Sequence, residues 1–347
     1  MKKLNICMVS FHGCIRVFKE THILQQAGHT VHHLAMSETF GWNKYETHTL
    51  YADEASGIRA VQMLDNAGID IFHVHNEPDW IVSMVRKGTD KPIVYDIHDL
   101  EHLRHSGGPD EHELNAVRDC DAVIHTSRYT QAQYDKTHGP KKIDGIVLPK
   151  VPRDFLVPEK MAKAYAPHTL VYQGGLAEQE QRHYGSDGIM YENYRYYVQM
   201  VSGMALCGFQ SFLFSASTLV GGVYEGAGAI VFPAQPWITL LKAISPYQIG
   251  FVGATTHCDL MQYSSPNKLF EYIAAGVVPV VMYAKHAAEI TENLGCGIVL
   301  DVANPIQGQL DQDEIIEKHN RLLEIRESIV MEDELPVIEE IYQQLLS

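Results

Sequence analysis

Two charged residues three positions apart, Lys268 and Glu271, stand at the start of the stretch Ser265-Pro266-Asn267-Lys268-Leu269-Phe270-Glu271. The local pattern places them on a helix. Ser265 offers the hydroxyl of an N-cap, and Pro266 suits the first helical position, where its missing N–H is not needed. Leu269, Phe270, Ile273 and Ala274 form an apolar stripe, and Gly276 is expected to end the helix in a left-handed turn. Val277 to Val281 then reads as a short buried parallel strand. The spacing puts the Lys268 ammonium and the Glu271 carboxylate one turn apart on the same exposed side. Amides at Asn267 and Lys268 project from the helix start, where the dipole favours an anion. Donors for an anion beside an acceptor for hydroxyls meet the needs of a nucleoside diphosphate, through its phosphates and its ribose. The apolar stripe alone would equally suit an ordinary amphipathic helix of an α/β domain.

Strands and helices alternate on both sides of this stretch. Strands are expected at Leu4–Ser10, Thr30–Ala35, Ile69–His75, Pro92–Tyr95, Ala122–Thr126 and Ile146–Leu148. A second series follows at Leu170–Gln173, Ser211–Ser215, Ala229–Phe232, Ile249–Val252, Val277–Val281 and Gly297–Leu300. Helices are expected between most of them, including one at Tyr191–Leu206, and two more at Asp313–Ser328 and Pro336–Leu346. The pattern predicts α/β architecture with two doubly wound, Rossmann-like parallel sheets. Pro149 to Pro167, with four prolines and mixed charge, reads as the link between residues 1–155 and 165–330. Residues 331–347 form a terminal helix. Ligands of such sheets bind beyond the carboxyl ends of the strands. Those ends carry Phe11-His12-Gly13, His75-Asn76-Glu77, Asp96-Ile97-His98-Asp99, Gly174-Gly175 and the segment from Gly253 to Ser265. Gly13 stands alone, so the dinucleotide fingerprint is absent.

At 347 residues the chain suits two domains, and 46% hydrophobic with 20% charged residues describes a globular core. The net charge of −16 argues against nucleic acid and against an anionic membrane surface as partners. From Asp311 onward 11 acidic residues face 3 basic ones, a solvated helical face or a docking surface. No apolar run reaches the ~20 residues of a transmembrane segment. Met1-Lys2-Lys3 leads into a strand and not into a signal peptide. Six scattered cysteines read as reduced thiols, and the expected location is cytoplasmic.

The segment PNKLFEYIAAGVVPVV resembles the donor-site helix of GT-B glycosyltransferases, particularly the retaining family 4 type. In the Glu-x7-Glu form of that motif the second Glu falls five residues before the Gly, where Glu271 stands. The first Glu would fall at position 263, which holds Tyr263. The opening RVFKETHILQQAGHTVHHLA and the later IVYDIHDL are similar to segments of the same enzymes. The resemblance implies two domains facing across a cleft, an acceptor-binding N-terminal one and a nucleotide-sugar-binding C-terminal one, with the last helix crossing back. It also implies His98 close to the donor sugar, with Asp99 orienting its loop. Lys268 and the helix amides would stabilise the leaving diphosphate, supported by Arg16 or by Arg182 in AEQEQRHYGSDG. Gly13, Gly174, Gly175, Ser265, Asn267 and Glu271 complete the implied donor site, the glycines allowing close backbone approach.

The expected activity is transfer of a sugar from a nucleoside-diphosphate sugar to a glycan, glycolipid or protein acceptor, retaining and without a metal or other cofactor. A nucleotide-sugar epimerase on the same fold, or a degraded relative acting as a binding subunit, are the alternatives. The 19 histidines raise a metal site as a rival. His73 and His75 share a strand face, and His98, His102 and His105 have helical spacing, with Glu77, Asp96 or Asp99 beside them. No compact zinc signature is present.

Overall fold

The computed structural model describes residues 2–37, 41–76, 78–104, 108–178, 183–184, 190–191, 195–215 and 221–347. The chain divides into two units. One comprises Met1–Pro152 with Met331–Ser347, the other Arg153–Val330.

In the first unit the described strands are β1 (Asn5–Ser10), β2 (Thr30–Ala35), β3 (His48–Leu50), β4 (Ile71–His75), β5 (Ile93–Ile97), β6 (Ala122–His125) and β7 (Asp144–Ile146). They pair in parallel in the order β3-β2-β1-β4-β5-β6-β7. Helices α1 (Ile15–Gln26), α2 (Glu54–Asn66), α3 (Trp80–Gly88), α4 (Glu111–Asp119) and α5 (Arg128–His138) connect them. Side chains alternate along each strand, so the sheet has two apolar faces. Cys7, Val9, Phe72, Val74, Ile93 and Tyr95 pack with Val61, Leu64, Ile81 and Val85 of α2 and α3. Ile6, Met8, Ile71 and Val94 pack on the other face with Val17, Ile23 and Leu24 of α1. Burial on both faces explains the continuous apolar runs of these strands.

The second unit contains α6 (Glu159–Ala162), β8 (Ala166–Gln173), β9 (His183–Tyr184), β10 (Met190–Tyr191), α7 (Val198–Leu206), β11 (Gln210–Ser215), α8 (Gly221–Gly226), β12 (Ile230–Pro233) and α9 (Trp237–Ile244). It continues with β13 (Tyr247–Gly253), α10 (Asp259–Tyr263), α11 (Asn267–Ala275), β14 (Val278–Met282), α12 (Lys285–Leu294), β15 (Ile298–Val299) and α13 (Gln312–Ile325). Among the described residues its main sheet is parallel in the order β12-β11-β8-β13-β14-β15, and β9 pairs with β10 in an antiparallel ribbon. The last helix, α14 (Leu335–Leu346), places Ile338, Ile341 and Tyr342 in the α1-side core of the first unit.

The α/β architecture matches the sequence pattern, with local differences. Strand β3 was not expected, being three residues long and only partly buried at a sheet edge. Helix α12 was not expected either. The helix anticipated from Tyr191 starts at Val198, because Tyr191 pairs in the ribbon. The proline-rich segment expected as a link holds a 3-10 turn at Arg153–Phe155 and the short α6. Val157 donates its N–H to the carbonyl of Ala274 at 3.1 Å, which ties the segment to the second unit. No helix among the described residues is long and apolar enough to cross a membrane.

Candidate functional site

In the second unit the carboxyl end of β8 meets the start of α11. The helix begins one residue later than the sequence suggested. Its cap is Pro266, extended at φ −72° and ψ 136°, whose carbonyl accepts from the Leu269 N–H at 3.2 Å. Ser265 is therefore not the cap, and its buried hydroxyl has no hydrogen-bond partner among the described residues. Asn267 and Lys268 open the first turn and are half-buried. Gly276 closes the helix at φ 79°, the left-handed conformation that glycine adopts without a steric penalty.

Lys268 leans over the strand end. Its Nζ lies 5.2 Å from the centre of the Tyr172 ring, a cation–π contact. Gly174 makes this approach possible, since a Cβ there would lie 3.0 Å from Lys268 Nζ, and its φ of 129° suits only glycine. Gly175 is similarly overlaid, with Arg195 Nη1 only 2.8 Å from the position a Cβ would take. Arg195 is fixed through its carbonyl, which accepts from Ala177 N at 3.0 Å and from the Tyr224 hydroxyl at 3.2 Å. The Gly174-Gly175 pair thus has an ammonium on one residue and a guanidinium on the next. Arg195 was missed in the sequence, where its only signal is an isolated Arg among Tyr194, Tyr196 and Tyr197. Arg182, the cation singled out there, lies outside the described residues.

Glu271 is not on an exposed face. It is 4% exposed, accepting from Trp237 Nε1 at 2.8 Å on one carboxylate oxygen and from Gln173 Nε2 on the other. The reason is tertiary. Helix α9 brings Trp237 over α11, and the last residue of β8 reaches it from the sheet. Tyr263, at the position of the first motif Glu, ends α10.

In the first unit, His98 follows β5 directly. Its N–H donates to Asn76 Oδ1 at 2.7 Å, and Asn76 Nδ2 donates to the Asp99 carbonyl at 2.6 Å. Asn76, at the end of the neighbouring β4, therefore clamps the loop through its backbone. This is the orienting role that the resemblance gave to Asp99. The His98 ring contacts His75 Nδ1 through Nε2 at 2.9 Å and Cys14 Sγ through Nδ1 at 3.8 Å. Burial pushes its pKa down to about 4 against the pull of Asp96, so the ring is neutral at pH 7. Gly13 lies half-buried in the loop before α1.

Arg16 is a structural cation and not a ligand-facing one. It is 1% exposed, with Nε and Nη2 both 3.0 Å from Asp96 Oδ2, Nε 3.0 Å from Glu20, and Nη1 donating to the Val147 carbonyl at 3.0 Å. Burial alone would raise Asp96, but Arg16 and His73 override it and hold the carboxyl well below its usual range. Glu20 is pushed well above its usual range, first by burial and then by Asp96.

Residues 21–147 match the family model described as Glycosyltransferase Family 4. No curated protein matches the chain in sequence. Among solved structures, a sucrose-phosphate synthase from Thermosynechococcus elongatus superposes with a TM-score of 0.71 at 14% identity, covering 99% of both chains. A glycosyltransferase from Rickettsia africae gives 0.68 at 12% identity over 100% of both. HepE from Anabaena, solved in complex with UDP and glucose, gives 0.68 at 12% identity over 99% of this chain and 100% of that one. The chain has the GT-B fold of these structures, and the family 4 match lies within its first unit.

Two clusters among the described residues bring potential metal ligands together. Glu20, His73, His75 and Asp96 form the first, fully buried, where the Arg16 guanidinium already lies against both Glu20 and Asp96. His102, Glu113 and His138 form the second, with Glu113 Oε1 2.6 Å from His102 Nδ1 and 2.8 Å from His138 Nε2. His73 is further occupied by the Tyr342 hydroxyl of α14 at 2.7 Å. His105 and Glu77 lie outside the described residues.

Proposed function

We propose that this glycosyltransferase moves a sugar from a nucleoside-diphosphate sugar to an acceptor hydroxyl, with retention and without a metal, and that the second unit binds the donor. The observation that carries the reading is the pair of cations, Lys268 and Arg195, laid over Gly174-Gly175 beside the start of α11. Cleavage of the glycosidic bond leaves negative charge on the departing diphosphate. Cations already in place stabilise that charge without reorganising, which lowers the barrier. The same two charges can replace a divalent ion, and this supports a metal-independent reaction. The Glu271 side chain, oriented by Trp237 and Gln173, is assigned to the ribose hydroxyls.

His98 is assigned to a hydroxyl of the sugar, and the first unit to the acceptor. The similarity of residues 266–281 to donor-site helices of retaining enzymes supports retention. Tyr263 in place of the first motif Glu leaves the backbone and a phenol to handle what a carboxylate handles elsewhere.

A thermal-shift panel of UDP-, GDP- and ADP-sugars tests the reading, since preferential binding stabilises the folded state. UDP-glucose comes first, because HepE, which shares the fold, was solved with UDP and glucose. Release of diphosphate on adding an acceptor should follow for the sugar that shifts the melt. A flat response across the panel, or isomerised sugar with no diphosphate released, would refute transfer.

A further inference from the structure

Three neighbouring strands of the first unit, β2, β1 and β4, end side by side. Phe11 and His12 follow β1, Met36 and Ser37 follow β2, and Trp80 opens α3 after β4. Phe11, Met36 and Trp80 pack against the core shared with α2 and α3, yet each stays partly exposed. The Phe11 and Trp80 rings stand at 86° with centroids 6.3 Å apart, so they form a corner and not a flat patch. The His12 ring lies edge-on to Phe11 with centroids 4.4 Å apart. His12 is exposed, and its Nδ1 shares a hydrogen bond of 2.8 Å with Ser37 Oγ.

This corner is held from below. The Met36 N–H donates to the Phe11 carbonyl at 3.0 Å, which joins the loops after β1 and β2. Next to Trp80, Asp79 Oδ1 accepts from the Tyr95 hydroxyl at 2.6 Å and from Asn76 Nδ2 at 3.1 Å. Asn76, Asp79 and Tyr95 are all buried, so the start of α3 is fixed from β4 and β5. Trp80 takes no part in that network. Its indole N–H has no hydrogen-bond partner among the described residues.

A fixed, partly exposed indole with a free donor suits a ligand that is apolar on one face and hydroxylated at its rim. A pyranose ring is such a ligand. Its axial C–H bonds make an apolar face, which the negative π face of an aromatic ring attracts. Its equatorial hydroxyls point sideways, where the indole N–H, His12 and Ser37 offer donors and acceptors. Other ligands fit less well. No Lys, Arg, Asp or Glu stands among Phe11, His12, Met36, Ser37 and Trp80, and Asp79 is turned inward, so a phosphate or a charged peptide finds no ionic partner. An alkyl chain would take water from the indole N–H and the His12–Ser37 pair without replacing its hydrogen bonds.

We infer that Phe11 and Trp80, with His12 and Ser37 at their side, are an acceptor subsite for a sugar ring, the terminal residue of a glycan or of a glycolipid; this rests on the assignment of the acceptor to the first unit. The rings supply a stacking surface of fixed direction, and the polar pair with the indole N–H sets which hydroxyls are matched. Asn76 joins this subsite to the His98 loop, since it holds Asp79 on one side and the His98 N–H and Asp99 carbonyl on the other.

The test titrates the full chain, labelled with 15N-tryptophan, with methyl glycosides of glucose, galactose, mannose and N-acetylglucosamine at millimolar concentration. The Trp80 indole resonance is assigned by its loss in Trp80→Phe. At least one glycoside should shift that resonance saturably and leave the Trp237 resonance in place. Trp80→Leu should weaken binding of that glycoside about 10-fold and raise its KM as acceptor by a similar factor, with KM for UDP-glucose unchanged. Phe11→Leu keeps the indole and should weaken binding by a smaller factor; it takes the place of Trp80→Leu if that variant does not fold. The octyl glycoside of the same sugar separates the two sources, tighter binding marking a glycolipid and equal binding a free glycan. Octanol shifting Trp80 as the glycosides do, or unchanged glycoside affinity in the folded variant, would overturn the subsite. A flat Trp80 response to the whole panel would also overturn it, even where sugar is transferred to some other acceptor. A glycoside bound at Trp80 that receives no sugar from any UDP-, GDP- or ADP-sugar would instead refute the acceptor role of the first unit, so the two failures are read by different measurements.

Discussion

Replacing Glu271 separates nucleotide binding from stability, and the structure dictates which replacement to use. Glu271→Ala would remove the acceptor of two buried donors, Trp237 Nε1 and Gln173 Nε2. An unsatisfied buried donor costs about 1–3 kcal/mol, so the alanine variant should lose roughly 2–6 kcal/mol of stability. That is a large share of the ~5–15 kcal/mol of a typical domain. Lost binding in this variant could then be mere unfolding. Glu271→Gln keeps the shape and one carbonyl oxygen, so one donor keeps its partner while the other meets an NH2 group. The expected loss of stability is about 1–3 kcal/mol, read as a lower midpoint in urea. A hydrogen bond from a ribose hydroxyl to a charged carboxylate contributes about 1.5–3 kcal/mol and is weakened in the amide. UDP affinity by calorimetry should therefore fall about 10- to 100-fold in a protein that is still folded. Unchanged UDP affinity in folded Glu271→Gln would refute the placement of the nucleotide at this carboxylate.

Arg195→Ala should reduce turnover by roughly 10- to 100-fold, about 1.4–2.7 kcal/mol of transition-state stabilisation, while leaving the melting temperature near that of the wild type. Gly174→Ala places a methyl group 3.0 Å from Lys268 Nζ at a φ of 129°. It should cost about 1–3 kcal/mol in a urea melt and raise KM for the donor. Glu113 has its pKa lowered to about 2 from 4.5, with burial opposing and the His102 and His138 hydrogen bonds overcoming it. The folded value is depressed, so the stabilisation is present above about pH 4.5 and is lost as pH falls toward 2. The shift corresponds to about 3 kcal/mol. Urea midpoints of the wild type and Glu113→Gln should therefore differ at pH 7 and converge near pH 2, and a constant gap would contradict the assignment. Turnover should survive EDTA; activity lost to the chelator and recovered with manganese or zinc would contradict a metal-independent reaction.

Local order in this chain is written in residue spacing. The β-branched runs at Ile71–His75 and Val278–Met282, and the stripe of Leu269, Phe270, Ile273 and Ala274, follow periods set by backbone geometry, so the α/β architecture was legible from the sequence. Gly276 likewise announced the end of α11, because a left-handed residue needs no tertiary partner. What failed were elements whose identity depends on neighbours. The three residues of β3 are a strand only because β2 lies beside them. The start of α11 depends on whether Ser265 or Pro266 takes the extended cap conformation, and both residue types allow it.

The chemistry of individual side chains was decided only in the folded structure. The helical period correctly set Lys268 and Glu271 one turn apart, but it could not reveal that Trp237 and Gln173, 34 and 98 residues before Glu271, close over the carboxylate. Arg16 looked like a free cation until β5 brought Asp96, 80 residues away, against its guanidinium. Arg195 became interesting only when it came to rest over Gly175. His75 and His98 became partners because β4 and β5 are adjacent and in register. Spacing along a chain determines which face a residue occupies. Burial and charge state depend on what arrives at that face from elsewhere, and in this protein those neighbours are separated by tens of residues.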